Sequence, residues 1–564
     1  MPKYILLVLI VIFFLIIIQM FFPFAQGMYF LILIGSFFLS GLILSILSFK
    51  KKWFFITGLS AVGFFVFVIL HNAFYALGTV FPNIIITVLE AGCFLIAVLV
   101  CPIMFLIGSI ISIYSCLDKG KKYILIVLII SILTGFGILF YQDSLEFEVD
   151  LHKIEFSPKQ KDLVSLKFFD DVREELLSDG KSFLEVNLDK MIVSLYKFGF
   201  KAKEVPIITR GDTQTWGGSA VGLYKILSGS PVGYSNTSNV YMPYYLHYYG
   251  KYYIHGEPYY YKDYKLASPF SGGCLRLKDM DAELIYELSE LNMPVLVIDK
   301  EKDDYQYEKP ETLPYVSAKS FLVADLDSGH ILAEKDSQKQ LPIASLTKLM
   351  TAVVVAENVN LKRSILVREK MLSGYGSTKG LEAGERFRVV ELFYPLLIES
   401  SNDAAETLSY FLGREKTIRL MNEKTKSILM ENTEFTCPSG YDPGNVSTAK
   451  DLFYLARYIF NNRFPLLEIG KGKKVSSFGD IGFDINEMYN MNVFINDPYF
   501  IGGKTGFIKA SKYTGIFLFR FFDKNSVQRN IVIIVLGSNN EKLDTQIIYR
   551  WLQDNYFGVQ YLLD

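Results

Sequence analysis

Residues 341–352 read LPIASLTKLMTA, residues 398–406 read IESSNDAAE, and residues 500–510 read FIGGKTGFIKA. Ser345 and Lys348 stand at i and i+3, on one face of a helical run. A lysine that is desolvated, or held beside another cation, loses its proton readily and can then activate a serine hydroxyl. Ser400, Ser401 and Asn402 fall at the junction of two helical runs, where a hydroxyl and an amide can relay a proton and orient a substrate amide. Lys504 and Thr505 fit an edge strand that binds a terminal carboxylate, and Gly506 leaves room for the ligand. Each motif alone is common. In this order, within one stretch of mixed structure, they describe a serine acyl-transfer site.

The surroundings read as α+β. Ile343–Glu357, Val389–Ser400, Asp403–Phe411 and Ala449–Phe460 have helical patterning, while Ser320–Asp325, Tyr513–Arg520 and Asn530–Leu536 read as strands. With AKSFLVADLDSGHILAEKDSQKQLPIASLTKLMTA at 318–352 and CPSGYDPGNVSTAKDLFYLARY at 437–458, residues 315–564 resemble the penicillin-binding D-alanyl-D-alanine carboxypeptidases of the class A β-lactamase-like fold. The resemblance implies Ser345 as the acylated nucleophile and Lys348 as its base, with Ser400 and Asn402 assisting. It implies Lys504, Thr505 and Gly506 at the substrate carboxylate, and an oxyanion hole from the backbone N–H groups of Ser345 and Phe507. It further implies peptidoglycan stem peptides as substrates and β-lactams as inhibitors. The chain departs from the family at FIKASKYTG, which lacks the usual Ala-Gly pair, so deacylation and substrate preference stay open. Cys437 falls at no catalytic position and reads as structural.

Upstream, KEKDDYQYEKPETLP at 300–314 is charged, carries two prolines, and reads as an interdomain linker. Residues 183–299 are rich in Tyr, Val, Ile and Gly, as in short strands joined by turns. They hold IHGEP at 254–258 and SPFSGGCLRLKDMDAELIYEL at 268–288. A His and a Cys in a β-rich domain can form a base–nucleophile pair. The glycines before Cys274 let the backbone turn and a substrate approach, neighbouring N–H groups can hold an oxyanion, and Arg276 can bind a carboxylate. The plain alternative is a buried thiol and a core histidine. His255-Gly256, Ser271-Gly272-Gly273-Cys274-Leu275-Arg276 and Asp281-Ala282 resemble the signature of the YkuD-type L,D-transpeptidases. That resemblance implies Cys274 as nucleophile, His255 as base, and Arg276, Ser271 and Gly273 as site-shaping residues. Many members of that family carry His where this chain has Gly272, which bears on substrate positioning and rate.

The first quarter differs in composition. The chain has 564 residues, 51% hydrophobic and 20% charged, with net charge −1. That excludes a disordered chain and gives no global basic field for nucleic acid. Residues 1–141 hold seven Lys, no Arg and two acids, Glu90 and Asp118. Five apolar runs, Tyr4–Phe22, Met28–Phe49, Trp53–Leu70, about 85–114, and Tyr123–Tyr141, read as five membrane spans. Lys3, Lys50–Lys52 and Lys119–Lys122 alternate with loops lacking basic residues, which places the N-terminus in the cytoplasm and everything after Tyr141 outside. Glu90 reads as interfacial. Residues 142–182 read as a spacer with an amphipathic helix over 159–177. The five cysteines form neither a disulfide framework nor a CxxC metal spacing, and no metal or cofactor is expected.

The expected whole is a multidomain membrane protein of the bacterial cytoplasmic membrane. It comprises a membrane domain (1–141), a spacer (142–182), a β-rich L,D-transpeptidase-like domain (183–299), a linker (300–314) and an α+β carboxypeptidase-like domain (315–564). Trimming of pentapeptide stems by the serine site would supply tetrapeptide donors for 3→3 cross-links made by the cysteine site. Two hydrolytic sites (a D,D-endopeptidase and an L,D-carboxypeptidase) are an alternative. So is a membrane receptor for stem peptides or β-lactams with a non-catalytic middle domain. The spans also offer a surface to a cell-wall synthesis partner.

Overall fold

A computed structural model describes residues 39–47, 51–53, 55–63, 66, 70 and 101–116, and then 166–558 without 214, 237, 262–263, 267, 269, 309, 311, 373–380 and 476–480. The chain forms two compact units, Met1–Ile154 and Glu155–Asp564.

In the first unit the described residues do not bear out five spans. Among them, no helix is long and apolar enough to cross a membrane. The helix Cys101–Cys116 has 16 residues. The runs at Tyr4–Phe22 and Tyr123–Tyr141, and Glu90, lie outside the described residues.

The second unit is multidomain, with a β-rich part followed by an α+β part. The α+β part is built on a five-stranded antiparallel sheet in the order Ile331–Lys335, Ser320–Asp325, Gln528–Ser538, Lys512–Phe522, Phe500–Ile508. The central strand reads QRNIVIIVLGS, apolar on both faces. Val532, Ile534 and Leu536 enter one core, whereas Ile531, Ile533 and Val535 enter another. This is the period-two alternation of a strand covered on both sides. Helix Ala449–Asn462 covers one face and helix Glu541–Leu552 the other.

The β-rich part holds two sheets. One has the order Phe200–Pro206, Ile192–Lys197, Phe183–Asn187, Pro294–Ile298, Gly222–Lys225. Phe183–Asn187 and Pro294–Ile298 run parallel, so the ends of this part lie side by side. The other sheet joins Ser228–Ser235, Val240–Tyr249, Tyr252–His255 and Leu275–Arg276. Helix Asp279–Leu288 packs on it.

The spacer and the linker both make contacts that their sequences did not show. The amphipathic helix of the spacer is observed as Phe169–Ser178 and buries Phe169 and Val172. Just ahead of it the Leu166 N–H donates to Gly329 O, and Phe168 stacks near Phe453. The stretch read as a linker is pinned down. Asp303 pairs with Arg529 at 2.7 Å, Lys300 with Asp327 at 2.9 Å, and Tyr305 donates to Asp523 at 2.7 Å. These contacts hold the linker against its neighbours. One apolar core runs from Leu184, Val295 and Tyr248 of the β-rich part to Leu346, Val353 and Phe393 of the α+β part.

Candidate active sites

The serine motif begins in a 3-10 turn, Ala344–Leu346, which leads into helix Thr347–Asn358. The turn holds Ala344 at φ 48° and leaves Ser345 half-buried one turn ahead of Lys348. Lys348 is fully buried. Its Nζ lies 2.7 Å from Ser345 Oγ, 2.8 Å from Asn402 Oδ1 and 2.7 Å from Ser439 O. Burial, and then the charge of Lys504, hold the Lys348 amine well below its usual range. A neutral amine fits these partners completely. Its two N–H groups go to the Asn402 and Ser439 oxygens, which can only accept, and its lone pair faces the serine hydroxyl.

The second motif divides its work between neighbours. Ser401 caps helix Asn402–Ser409 by accepting from the Ala404 N–H at 3.1 Å. Ser400, at φ 62°, is turned the other way, and its hydroxyl accepts from Lys504 Nζ at 2.8 Å. Lys504 also donates to Thr505 O, and burial lowers its amine to about 7. Strand Phe500–Ile508 passes directly beside the nucleophile. A Cβ at Gly506 would stand 2.8 Å from the Ser345 nitrogen, so glycine is required for this approach. Phe507, the next residue, is exposed. The three motifs thus converge on one cleft edge that can accept a serine proton, pass it on, and hold an anion.

Cys437 is buried, and its sulfur accepts from the Gly440 N–H at 3.3 Å. The carbonyl of Ser439 in the same turn was not visible as a functional group in the sequence, because a backbone acceptor has no side-chain signature.

The cysteine site is less complete. Strands Tyr252–His255 and Leu275–Arg276 pair in parallel with His255 opposite Arg276. Cys274 and His255 are thereby brought to adjacent strand ends, yet no hydrogen bond joins them. The Cys274 thiol points at Lys251 O, 3.8 Å away. His255 is buried and bonded through Nδ1 to Gly256 O at 2.6 Å. Burial pushes the Cys274 thiol up, and it pushes the His255 imidazole down to about 4. The pair is therefore neutral at pH 7. Ser271 shapes the turn: its hydroxyl donates to Cys274 O at 2.5 Å and accepts from the Gly273 N–H at 3.1 Å. Gly273 sits at φ 112° against the Tyr252 ring, where no Cβ fits. Arg276 is buried and donates to Ser268 O at 3.3 Å. At Gly272 a Cβ would meet nothing within 4 Å. Lys251 and Tyr252, which line this site, were not singled out in the sequence. Among the described residues no cluster of His, Cys, Asp or Glu has a metal-binding arrangement.

Comparison with known proteins matches both parts. Residues 307–539 fit the family model described as D-alanyl-D-alanine carboxypeptidase, and residues 181–297 fit the model of the L,D-transpeptidase catalytic domain. The chain is 32% identical over 208 residues to the D-alanyl-D-alanine carboxypeptidase DacB2 of Mycobacterium tuberculosis, covering 36% of this chain and 70% of that one. It is 31% identical to a D-alanyl-D-alanine endopeptidase of Haemophilus influenzae, covering 40% of this chain and 77% of that one. It is 34% identical to the D-alanyl-D-alanine carboxypeptidase DacF of Bacillus subtilis, with 25% of this chain and 38% of that one covered.

Proposed function

The chain belongs to the D-alanyl-D-alanine carboxypeptidase family, and from that membership we propose that its serine site trims peptidoglycan stem peptides which its cysteine site then joins. The observation that carries the first half is the contact between Ser345 Oγ and a fully buried Lys348 whose other two partners are acceptors.

In this reading Lys348 takes the Ser345 proton as Oγ attacks the carbonyl before the terminal D-Ala. The developing oxyanion sits between the backbone N–H groups of Ser345 and Phe507. Ser400, bonded to Lys504, hands a proton to the departing amine. Lys504 and Thr505 hold the D-Ala carboxylate, Gly506 keeps the strand close, and Asn402 orients the peptide. Water then releases the shortened stem. β-Lactams, which present a strained amide to the same serine, act as inhibitors.

At the second site the Cys274 thiol gives its proton to His255, attacks a carbonyl of the tetrapeptide stem, expels its terminal D-Ala, and passes the acyl group to the amine of another stem. Ser271, Gly273 and Arg276 shape that site. The product of the first reaction is the donor of the second. What supports the pairing is the shared apolar core, which keeps both sites on one body. The charge pattern of the first 141 residues supports a location outside the cytoplasmic membrane, with the amino-terminal block as its attachment.

The full chain carrying Ser345→Ala, given tetrapeptide muropeptides, should yield cross-linked dimers that disappear with Cys274→Ala. The chain carrying Cys274→Ala, given pentapeptides, should release D-Ala that depends on Ser345. Absence of either product removes the corresponding half of the proposal. The endopeptidase relative favours a second reading, in which the serine site opens existing cross-links. Release of monomers from cross-linked dimers by the Cys274→Ala chain would select it.

A further inference from the structure

A buried charged cluster lies between the two sites, and neither reaction uses it. Glu357 occupies the last turn of helix Thr347–Asn358, the helix that follows the catalytic serine. Its carboxylate is 2.9 Å from Lys424 Nζ and 2.8 Å from Arg463 Nη2, and all three side chains are fully buried. Lys424 also donates to the hydroxyls of Tyr224 and Tyr458 at 2.7 and 2.9 Å. Arg463 donates to Tyr252 Oη at 2.7 Å and to Gly218 O at 2.7 Å. Buried charges of this kind are weak contributors to stability compared with apolar packing, and their best-attested use is to fix one geometry.

The geometry fixed here is that of a turn. Gly250, Lys251 and Tyr252 link two strands of the cysteine sheet. A Cβ at Gly250 would come within 2.8 Å of Glu357 O. The Lys251 ammonium donates to Ala356 O at 2.8 Å, and Arg463 holds the Tyr252 hydroxyl. On its other side the same turn lies against the nucleophile. Lys251 O receives the Cys274 thiol, and the Tyr252 ring fills the space beside Gly273. The cations facing the thiol are Lys251 and Arg276, and the phenols are Tyr248, Tyr252 and Tyr253. Lys251 is in turn faced by Arg463 and Glu357.

We propose that the serine domain completes the cysteine site: Arg463 and Glu357 are positioning residues that hold the turn Gly250–Tyr252, and through it the environment of Cys274. The inference rests on Cys274 being the nucleophile of the middle domain. One helix then serves both reactions. Lys348 stands near its start, and Glu357 stands nine residues later, about 14 Å along the axis.

The test uses the full chain and a probe that needs no turnover. Iodoacetamide alkylation of Cys274 is followed across pH by peptide mass spectrometry, and acylation of Ser345 by a fluorescent penicillin is measured in parallel. Releasing the turn draws the Lys251 carbonyl away from the sulfur and lets water reach it, which relieves the burial that holds the thiol up. Tyr252→Phe and Arg463→Gln should each lower the alkylation midpoint by about half to one pH unit. Arg463→Lys should recover part of that shift, and Ser345 acylation should stay within about twofold of the parent. Superimposable alkylation profiles for the parent and Tyr252→Phe would overturn the proposal, whether or not Arg463→Gln folds. If the midpoint moves but no muropeptide dimers form, the transpeptidase reading fails and the positioning role stands.

Discussion

Lys504 Nζ donates to the Ser400 hydroxyl across 2.8 Å, and this contact ties the second catalytic motif to the third. Burial lowers the Lys504 amine to about 7. In the proposed reaction Lys504 carries, below that pH, the charge that holds the substrate carboxylate, and above it that charge is lost. Lys348 must be neutral to accept the serine proton, so its protonation defines the acid limb. The pH profile of kcat/KM for D-Ala release should be a bell with its alkaline limb near 7. Lys504→Arg, which cannot titrate there, should flatten that limb. A profile still rising at pH 9 in the parent would contradict the assignment.

Lys348→Met keeps much of the side-chain volume and removes the base. Acylation of Ser345 by a fluorescent penicillin should slow by about 10²–10⁴-fold, the range lost with a general base. The thermal midpoint should fall by a few degrees, because the Asn402 and Ser439 oxygens lose their buried donor. A rate within tenfold of the parent would assign the base elsewhere.

The open position at Gly272 invites a gain of function. Since a Cβ there meets nothing within 4 Å, Gly272→His should fold as the parent does, with ΔΔG within about 0.5 kcal/mol. A second imidazole beside a thiol that burial pushes up should increase alkylation of Cys274 at pH 7. Reactivity unchanged at equal stability would mean the added ring does not reach the sulfur.

Glu357→Gln leaves Lys424 and Arg463 buried without their counter-ion. Denaturant unfolding should show a loss of about 3–5 kcal/mol. Burial alone would raise the Glu357 carboxyl, but Lys424 and Arg463 hold it below the usual range. Its stabilising contribution is therefore present above the unfolded-state value of about 4.3 and is lost as pH falls through the lower folded value. The parent should lose stability in that acid window, and the variant should lose less.

The serine and cysteine motifs were legible in the sequence because each is a few residues long and carried by local geometry. Strand Ser320–Asp325 was read with its observed bounds, and helix Ala449–Asn462 within two residues of its end. What the sequence hid was long-range. Tyr224, Tyr252, Glu357, Lys424 and Arg463 lie far apart along the chain, and each alone reads as a surface or sheet residue. The anchoring of the linker at 300–314 was hidden for a related reason. Its acids look solvated until Arg529, supplied by a strand near the end of the chain, is seen against Asp303 and Asp325. The cysteine motif carried no sign of its bonding, because the thiol's contact is with the backbone carbonyl of Lys251.

The apolar core that runs without a break between the two sites also sets dosage. Separating the halves would leave Trp216 and Phe393, which stack at 5.5 Å, facing water along with their neighbours. A cell making this chain therefore makes the serine site and the cysteine site in a fixed one-to-one ratio. Each molecule carries one of each, and a single destabilising change in the common interior threatens both at once.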